Sequence, residues 1–137
     1  MSERRIMPMP DRDSAHYWES LAKGVFEIQH CVDCGRWTWP PRPICSGCQG
    51  EMIEWAAVKG TGTVYSWVVV HRAMTPALAA NIPYTTVLVR LDEQDDILIP
   101  GRLLSDSDAQ PGLRVRATAE RVGDDVLGVG WTPMDAQ

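Results

Sequence analysis

Residues 31–34, Cys31-Val32-Asp33-Cys34, and residues 45–48, Cys45-Ser46-Gly47-Cys48, decide how this chain is read. Each pair leaves two residues between its cysteines, and ten residues separate the pairs. A two-residue spacer lets a tight turn aim both sulfurs and several backbone amides at one point, and two such knuckles complete a tetrahedral four-sulfur site. Gly35 follows the first knuckle, where a positive φ is often needed, and Gln49-Gly50 takes that place in the second. A four-thiolate set suits Zn²⁺ or a single iron ion. One Zn²⁺ per chain is expected, because an iron form would be an electron carrier and no flavin or second redox motif accompanies the site. With all four positions filled by Cys31, Cys34, Cys45 and Cys48, no position is open to water, so the ion is structural. These are all the cysteines of the chain, which leaves no thiol as nucleophile or redox sensor.

On the N-terminal side, Pro8 and Pro10 make residues 1–12 a lead-in without regular structure. A short helix follows. Asp13 or Ser14 can cap it, Trp18, Leu21 and Ala22 share one face, and Gly24 can end it. About ten helical residues are marginal alone, so the helix must dock on another element. The expected units are the tail and helix over 1–24, a zinc ribbon over 25–58 with Pro40, Pro41 and Pro43, and a β module over 59–137.

On the C-terminal side, Lys59-Gly60-Thr61-Gly62 reads as a hinge. Beyond it nearly every segment reads as strand: 63–72, 84–91, 97–99 after the turn at Asp95-Asp96, 113–122, and 126–131 after Gly123-Asp124-Asp125. Pro100-Gly101 is expected to interrupt the third strand with a bulge or edge position. In the fourth, Leu113, Val115, Ala117 and Ala119 alternate with Arg114, Arg116, Thr118 and Glu120, giving one buried face and one wet face. Five strands in so short a stretch, with no second helix, predict a small closed barrel.

Charge and hydropathy narrow the partners. Eighteen acidic against thirteen basic residues give a net charge of −5. That lacks the broad basic footprint of non-specific nucleic-acid binding. No polybasic run suits a membrane surface, and apolar runs such as Val68-Val69-Val70 are too short to span a bilayer. Met7 to Asp13 is polar and proline-bearing where a signal peptide needs an apolar core, so a cytoplasmic protein is expected, in keeping with reduced thiols.

Other chemistry reads weakly. His71 ends a predicted strand beside Arg72, where a solvated histidine outweighs a general base, while His16 and His30 lie in the helix and before the first knuckle. Ser66 has no nucleophile-elbow context. Asp92, Glu93, Asp95 and Asp96 form a turn whose expected state is a solvated tip rather than a cation site. Gly60-Thr61-Gly62 lacks the helix and lysine of a phosphate loop. Trp37, Trp39, Trp55, Tyr65 and Trp67 are expected mostly in the core and between modules, the alternative being base stacking by a single-stranded nucleic-acid-binding module.

Several motifs occur in a set order: the helix Tyr17-Trp18-Glu19-Ser20-Leu21-Ala22-Lys23-Gly24, Cys31-Val32-Asp33-Cys34-Gly35, Pro40-Pro41-Arg42-Pro43, Cys45-Ser46-Gly47-Cys48, Gly60-Thr61-Gly62-Thr63-Val64-Tyr65-Ser66, and Pro83-Tyr84. From about Tyr17 to Leu104 the chain thereby resembles the small zinc-ribbon/OB-fold proteins once described as a domain of unknown function and encoded beside thiolases and other acyl-CoA enzymes. One departure is visible: Ser46 and Gln49 stand where the family's second knuckle has Pro and Gly. The resemblance implies a mainly β chain with a short N-terminal helix, a rubredoxin-like four-cysteine zinc ribbon and a five-stranded OB-fold barrel. It also implies a non-catalytic accessory subunit that assembles with a thiolase-like, hydratase or aldolase acyl-CoA enzyme and helps bind or channel the CoA thioester. If CoA touches this chain, Arg42, Arg72, Arg90 and Arg102 are the expected contacts for its phosphates.

Overall fold

The computed structural model describes residues 9–134 apart from 74–75, 77–78, 80–81, 106–107 and 123–124. The first eight residues of the expected lead-in lie outside the described residues. Helix α1 covers Ala15–Ala22. Its start differs from the expected cap at Asp13 or Ser14. Ser14 occupies the N-cap position without a side-chain bond into the helix. The polar closure sits one turn earlier: the Ser14 amide donates to Asp11 Oδ1 at 2.8 Å, the Asp11 amide donates to Ser14 Oγ at 3.1 Å, and the Ala15 amide reaches the Asp11 carbonyl. That reciprocal pair satisfies two donors at once. The helix ends as expected at Gly24, whose φ of +82° lets its amide reach the Leu21 carbonyl and the Val25 amide reach the Ser20 carbonyl. Tyr17, Ser20 and Leu21 form the buried face, while Ala22 is exposed.

Three short strands build the ribbon: β1 (Glu27–Cys31), β2 (Trp37–Thr38) and β3 (Ile53–Ala57), in the antiparallel order β2-β1-β3. The remaining strands are β4 (Thr61–Val70), β5 (Tyr84–Leu91), β6 (Leu98–Leu103), β7 (Arg114–Val122) and β8 (Asp125–Pro133). They close a barrel in the order β4-β5-β6-β8-β7, with β6 and β8 parallel and every other pair antiparallel. Val64, Val87, Val89, Leu91, Ile97, Ile99, Val115 and Trp131 fill its interior. The expected alternation of β7 holds to Ala119, and a bulge between Glu120 and Arg121 then shifts its register.

Several expectations yield to tertiary packing. Lys59 to Gly62 is not a hinge: Thr61 and Gly62 begin β4, and Gly60 is buried with φ +76°. A β-carbon on Gly62 would meet the Arg90 carbonyl and sit 2.6 Å from Val89, so this glycine permits close strand approach. Of the two forms expected at Pro100-Gly101, the bulge is absent, since β6 keeps one register with β5 from Leu98 to Arg102, and the edge position is the one found. Proline is tolerated there because β8 pairs with β6 only at Arg102 and Leu103. The acidic turn is no solvated tip. Asp92 bonds Arg114 and Thr61, Glu93 accepts from the Lys59 amide, and Asp96 pairs with Arg36.

The aromatics divide as well. Tyr17 lies edge-on to Trp18, Phe26 and Trp39, and Phe26 lies edge-on to Trp131, so one aromatic cluster joins helix, ribbon and barrel. Its burial pushes the Tyr17 hydroxyl pKa up. Tyr65 and Trp67, expected to pack inside, are exposed.

Candidate functional site: the four-cysteine centre and the barrel face

β1 ends on Cys31, and the turn that follows brings Cys34 back beside it. The chain then crosses β2 and the prolines to the second knuckle. The Cys31 and Cys48 sulfurs are 3.6 Å apart, as are those of Cys34 and Cys45, and all four lie within 4.8 Å of one another. A tetrahedron of sulfurs about 2.3 Å from zinc has edges of about 3.8 Å, so the arrangement fits the ion. Cys31 and Cys45 are buried, whereas Cys34 and Cys48 face outward. Positive φ recurs after each knuckle, at Gly35 (+78°) and at Gln49 (+62°).

The electrostatics of the cluster also call for a cation. Amides of Cys48 and Gly47 point at Cys45 Sγ at 3.5 and 3.2 Å and bring that thiol down to about 6. The Gly50 amide pulls the Cys48 thiol down too, but Cys31 and Cys34 beside it outweigh that and push it up to about 12. Neighbouring thiolates resist sharing the site until a dication neutralises them. Zinc held here supplies a fold-organising cross-link and no open coordination position.

Two glutamines fasten this centre, and no local signal in the sequence marks either. Gln29 is buried in β1; its Nε2 donates to the Arg42 carbonyl and its Oε1 accepts from the Arg42 amide, both at 2.8 Å. Gln94, from the acidic turn, does the same for Trp37. Each side chain substitutes for a strand and satisfies backbone that would otherwise be orphaned.

A cleft of about 400 Å³ opens between α1, the ribbon and the barrel, lined by Tyr17, Trp18, Trp39, Tyr84, Arg102 and Glu120 among others. The Arg102 guanidinium sits 4.4 Å from the centre of the Tyr84 ring and 3.5 Å from Glu120, with both charged side chains largely buried. Arg42 lines a separate groove beside Trp37. Arg90 stacks over Tyr65, and exposed Arg72 lies just past β4. The four arginines singled out by sequence therefore occupy distinct surroundings rather than one pocket. His71 is exposed beyond β4. His16 and His30 each bond a carboxylate, Glu27 and Glu54, while lying against Trp55 and Trp37. No helix among the described residues is long and apolar enough to cross a membrane.

Known proteins share this build. Residues 18–52 match the ChsH2 rubredoxin-like zinc ribbon domain, and residues 55–120 match the ChsH2 C-terminal OB-fold domain. The probable enoyl-CoA hydratase alpha subunit of Thermomonospora curvata is 36% identical over 91 residues, covering 65% of this chain and 27% of the relative. The 3-oxo-4,17-pregnadiene-20-carboxyl-CoA hydratase alpha subunit of Mycobacterium tuberculosis is 31% identical over 113 residues, covering 82% of this chain and 35% of the relative. The chain thus spans about a third or less of these curated relatives. A chain of the solved Ltp2-ChsH2(DUF35) aldolase superposes with a TM-score of 0.80 and 27% identity, over 92% of this chain and 98% of that one. A DUF35-family protein of unknown function from Sulfolobus solfataricus superposes with a TM-score of 0.61 at 11% identity, over 90% of this chain and 86% of that one, which shows the shared fold. A ribbon with four converging thiols, a structural zinc and a five-stranded OB barrel, in this order, place the chain in the ChsH2-type zinc-ribbon/OB-fold (DUF35) family.

Proposed function

We propose that this chain is a non-catalytic accessory subunit that assembles with a thiolase-like, hydratase or aldolase acyl-CoA enzyme in the cytoplasm and helps bind or channel its CoA thioester. The observation that carries the reading is the likeness, across 92% of the chain, to a chain of the Ltp2-ChsH2(DUF35) aldolase. The names of two hydratase alpha subunits point the same way. Cys31, Cys34, Cys45 and Cys48 are the ligands of the zinc that holds the ribbon, which spends every thiol of the chain on structure. In this reading residues 1–24, 25–58 and 59–137 act as helix, ribbon and barrel units of one adaptor. The acyl-transfer or lyase chemistry belongs to the partner.

Contacts to CoA phosphates are assigned to Arg42, Arg72, Arg90 and Arg102. Exposed Arg42 and Arg72 can turn toward an anion directly, whereas at Arg102 a phosphate must compete with Glu120. Co-expression with the acyl-CoA enzyme subunit, followed by size-exclusion chromatography and assay with and without this chain, tests the reading. Co-elution and activity that depends on this chain are expected. A partner that is soluble, fully active and monodisperse alone, and elutes separately at micromolar concentration, refutes it.

A further inference from the structure

The outer half of β4 departs from the rest of the barrel. Tyr65, Trp67, Val68 and Val69 are 54%, 39%, 56% and 43% exposed. Directly opposed residues of paired strands share a face, so Trp67 and Val69, opposite Val87 and Thr85, open one face to solvent, while Ser66 and Val68, opposite Leu88 and Thr86, open the other, where Tyr65 also lies under Arg90. The reason lies in the pairing. β7 covers β4 only at Thr61 to Thr63, and the Leu113 carbonyl and Gly112 amide extend that cover to Val64. Between Val64 and Ser66 the register with β5 shifts, and a bulge of this kind bends a strand away from its sheet. From Ser66 to Val70, β4 pairs with β5 alone. Along its other edge, the alternate backbone N–H and C=O groups have no backbone partner among the described residues.

Exposed strand edges are ordinarily blunted by lysine, proline or inward-pointing charge. This one carries none: residues 64–70 read Val-Tyr-Ser-Trp-Val-Val-Val. We propose that the Ser66–Val70 edge is the docking strand of this chain, and that it takes an extended edge strand of the larger acyl-CoA enzyme subunit by β-augmentation. The proposal rests on the accessory-subunit reading and assigns the surface through which it works. An open row of N–H and C=O groups is matched by another extended backbone, and the uncharged flanking side chains are matched by apolar ones. Area and charge select the partner over a second copy. The four exposed side chains present on the order of 400 Å², about half of the ~800 Å² that each side of a stable interface buries. Two copies joined at this strand would share only that patch, and each brings a net charge of −5. A larger subunit can lay a strand on the edge and also cover the adjoining groove between Trp67, Thr86, Leu88 and Pro100.

The test uses the full zinc-loaded chain, tagged and purified from its own cells, with the captured subunit identified by mass spectrometry and then purified for titration. Val68→Lys places a charge on the edge at an exposed site, and Glu51→Lys is a change at a likewise exposed residue of the ribbon. Val68→Lys is expected to weaken binding of the acyl-CoA enzyme subunit roughly a hundredfold with its melting temperature unchanged, while Glu51→Lys binds like the parent. Hydrogen exchange at alternate amides of residues 66–70 is expected to be fast in the free chain and slowed in the complex. If the captured partner is an acyl-CoA enzyme but Val68→Lys binds within threefold of the parent, or those amides are already protected in the free chain, the docking strand is overturned and the accessory reading stands. If no acyl-CoA enzyme is captured, both fall. A homodimer that Val68→Lys dissolves overturns the proposal in favour of self-pairing.

Discussion

Gln94 Oε1 accepts the Trp37 amide at 2.9 Å while Gln94 Nε2 donates to the Trp37 carbonyl at 2.8 Å, so one barrel side chain acts as the missing neighbour strand of β2 in the ribbon. Gln94 Nε2 also reaches Asp96, which itself pairs with Arg36 of the ribbon. The zinc module and the barrel are thereby joined through backbone rather than through apolar contact alone. Gln94→Ala removes both bonds and leaves the Trp37 backbone short of partners, at a cost of about 1–3 kcal/mol. Chemical denaturation of the zinc-loaded protein should show that loss, and hydrogen exchange should show faster opening at Trp37. Unchanged exchange there would mean that the ribbon docks without Gln94.

Purified protein is expected to hold about one zinc per chain. Cys31→Ser or Cys48→Ser should unfold residues 25–58, because structural zinc contributes on the order of 10 kcal/mol to such modules. Metal analysis and near-ultraviolet circular dichroism read the outcome. Iron as the bound metal, or a folded ribbon in the serine variants, counts against a structural zinc site.

Asp92 supplies a pH dependence whose sign follows from its partners. Bonding to Arg114, and then to Thr61, holds its carboxyl at about 2, below the unfolded value of about 3.9. Its stabilisation is therefore complete above about pH 4 and is lost as pH falls toward 2. The Asp92 side chain is 35% exposed, so screening limits the effect to about 1 kcal/mol. Asp92→Asn should lower stability by about that amount at pH 7, with the gap from the parent closing below pH 4. A gap that is constant from pH 7 to pH 2.5 would show that charge is not its cause.

Gln49 occupies a left-handed conformation, φ +62°, where the second knuckle has no glycine. A side chain there costs roughly 1–2 kcal/mol, and glycine returns about half of that through the freedom of the unfolded chain. Gln49→Gly should stabilise the zinc-loaded ribbon by about 0.5–1 kcal/mol and tighten zinc in a chelator competition. A destabilised variant would mean that the Gln49 side chain makes a contact worth more than the strain.

Features closed within a few neighbouring residues are legible without the fold. The spacing of Cys31, Cys34, Cys45 and Cys48 marks the metal centre because each knuckle is closed by four consecutive residues. Gly24 marks the helix end because only its own φ is at issue, and alternation in β7 marks a barrel wall as far as Ala119. Features that depend on a distant neighbour emerge only once the chain is folded. Gly62 looks like a hinge until the Arg90 carbonyl is placed against it, and Asp92, Glu93 and Asp96 look like a solvated tip until Arg114 of β7 and the connecting residues Lys59 and Arg36 arrive from elsewhere in the chain. Tyr65 and Trp67 have the composition of buried strand, yet they lie exposed because β7 ends its pairing before them. Periodicity reports which residues can share a face; which strand comes to lie against that face is set by chain closure tens of residues away.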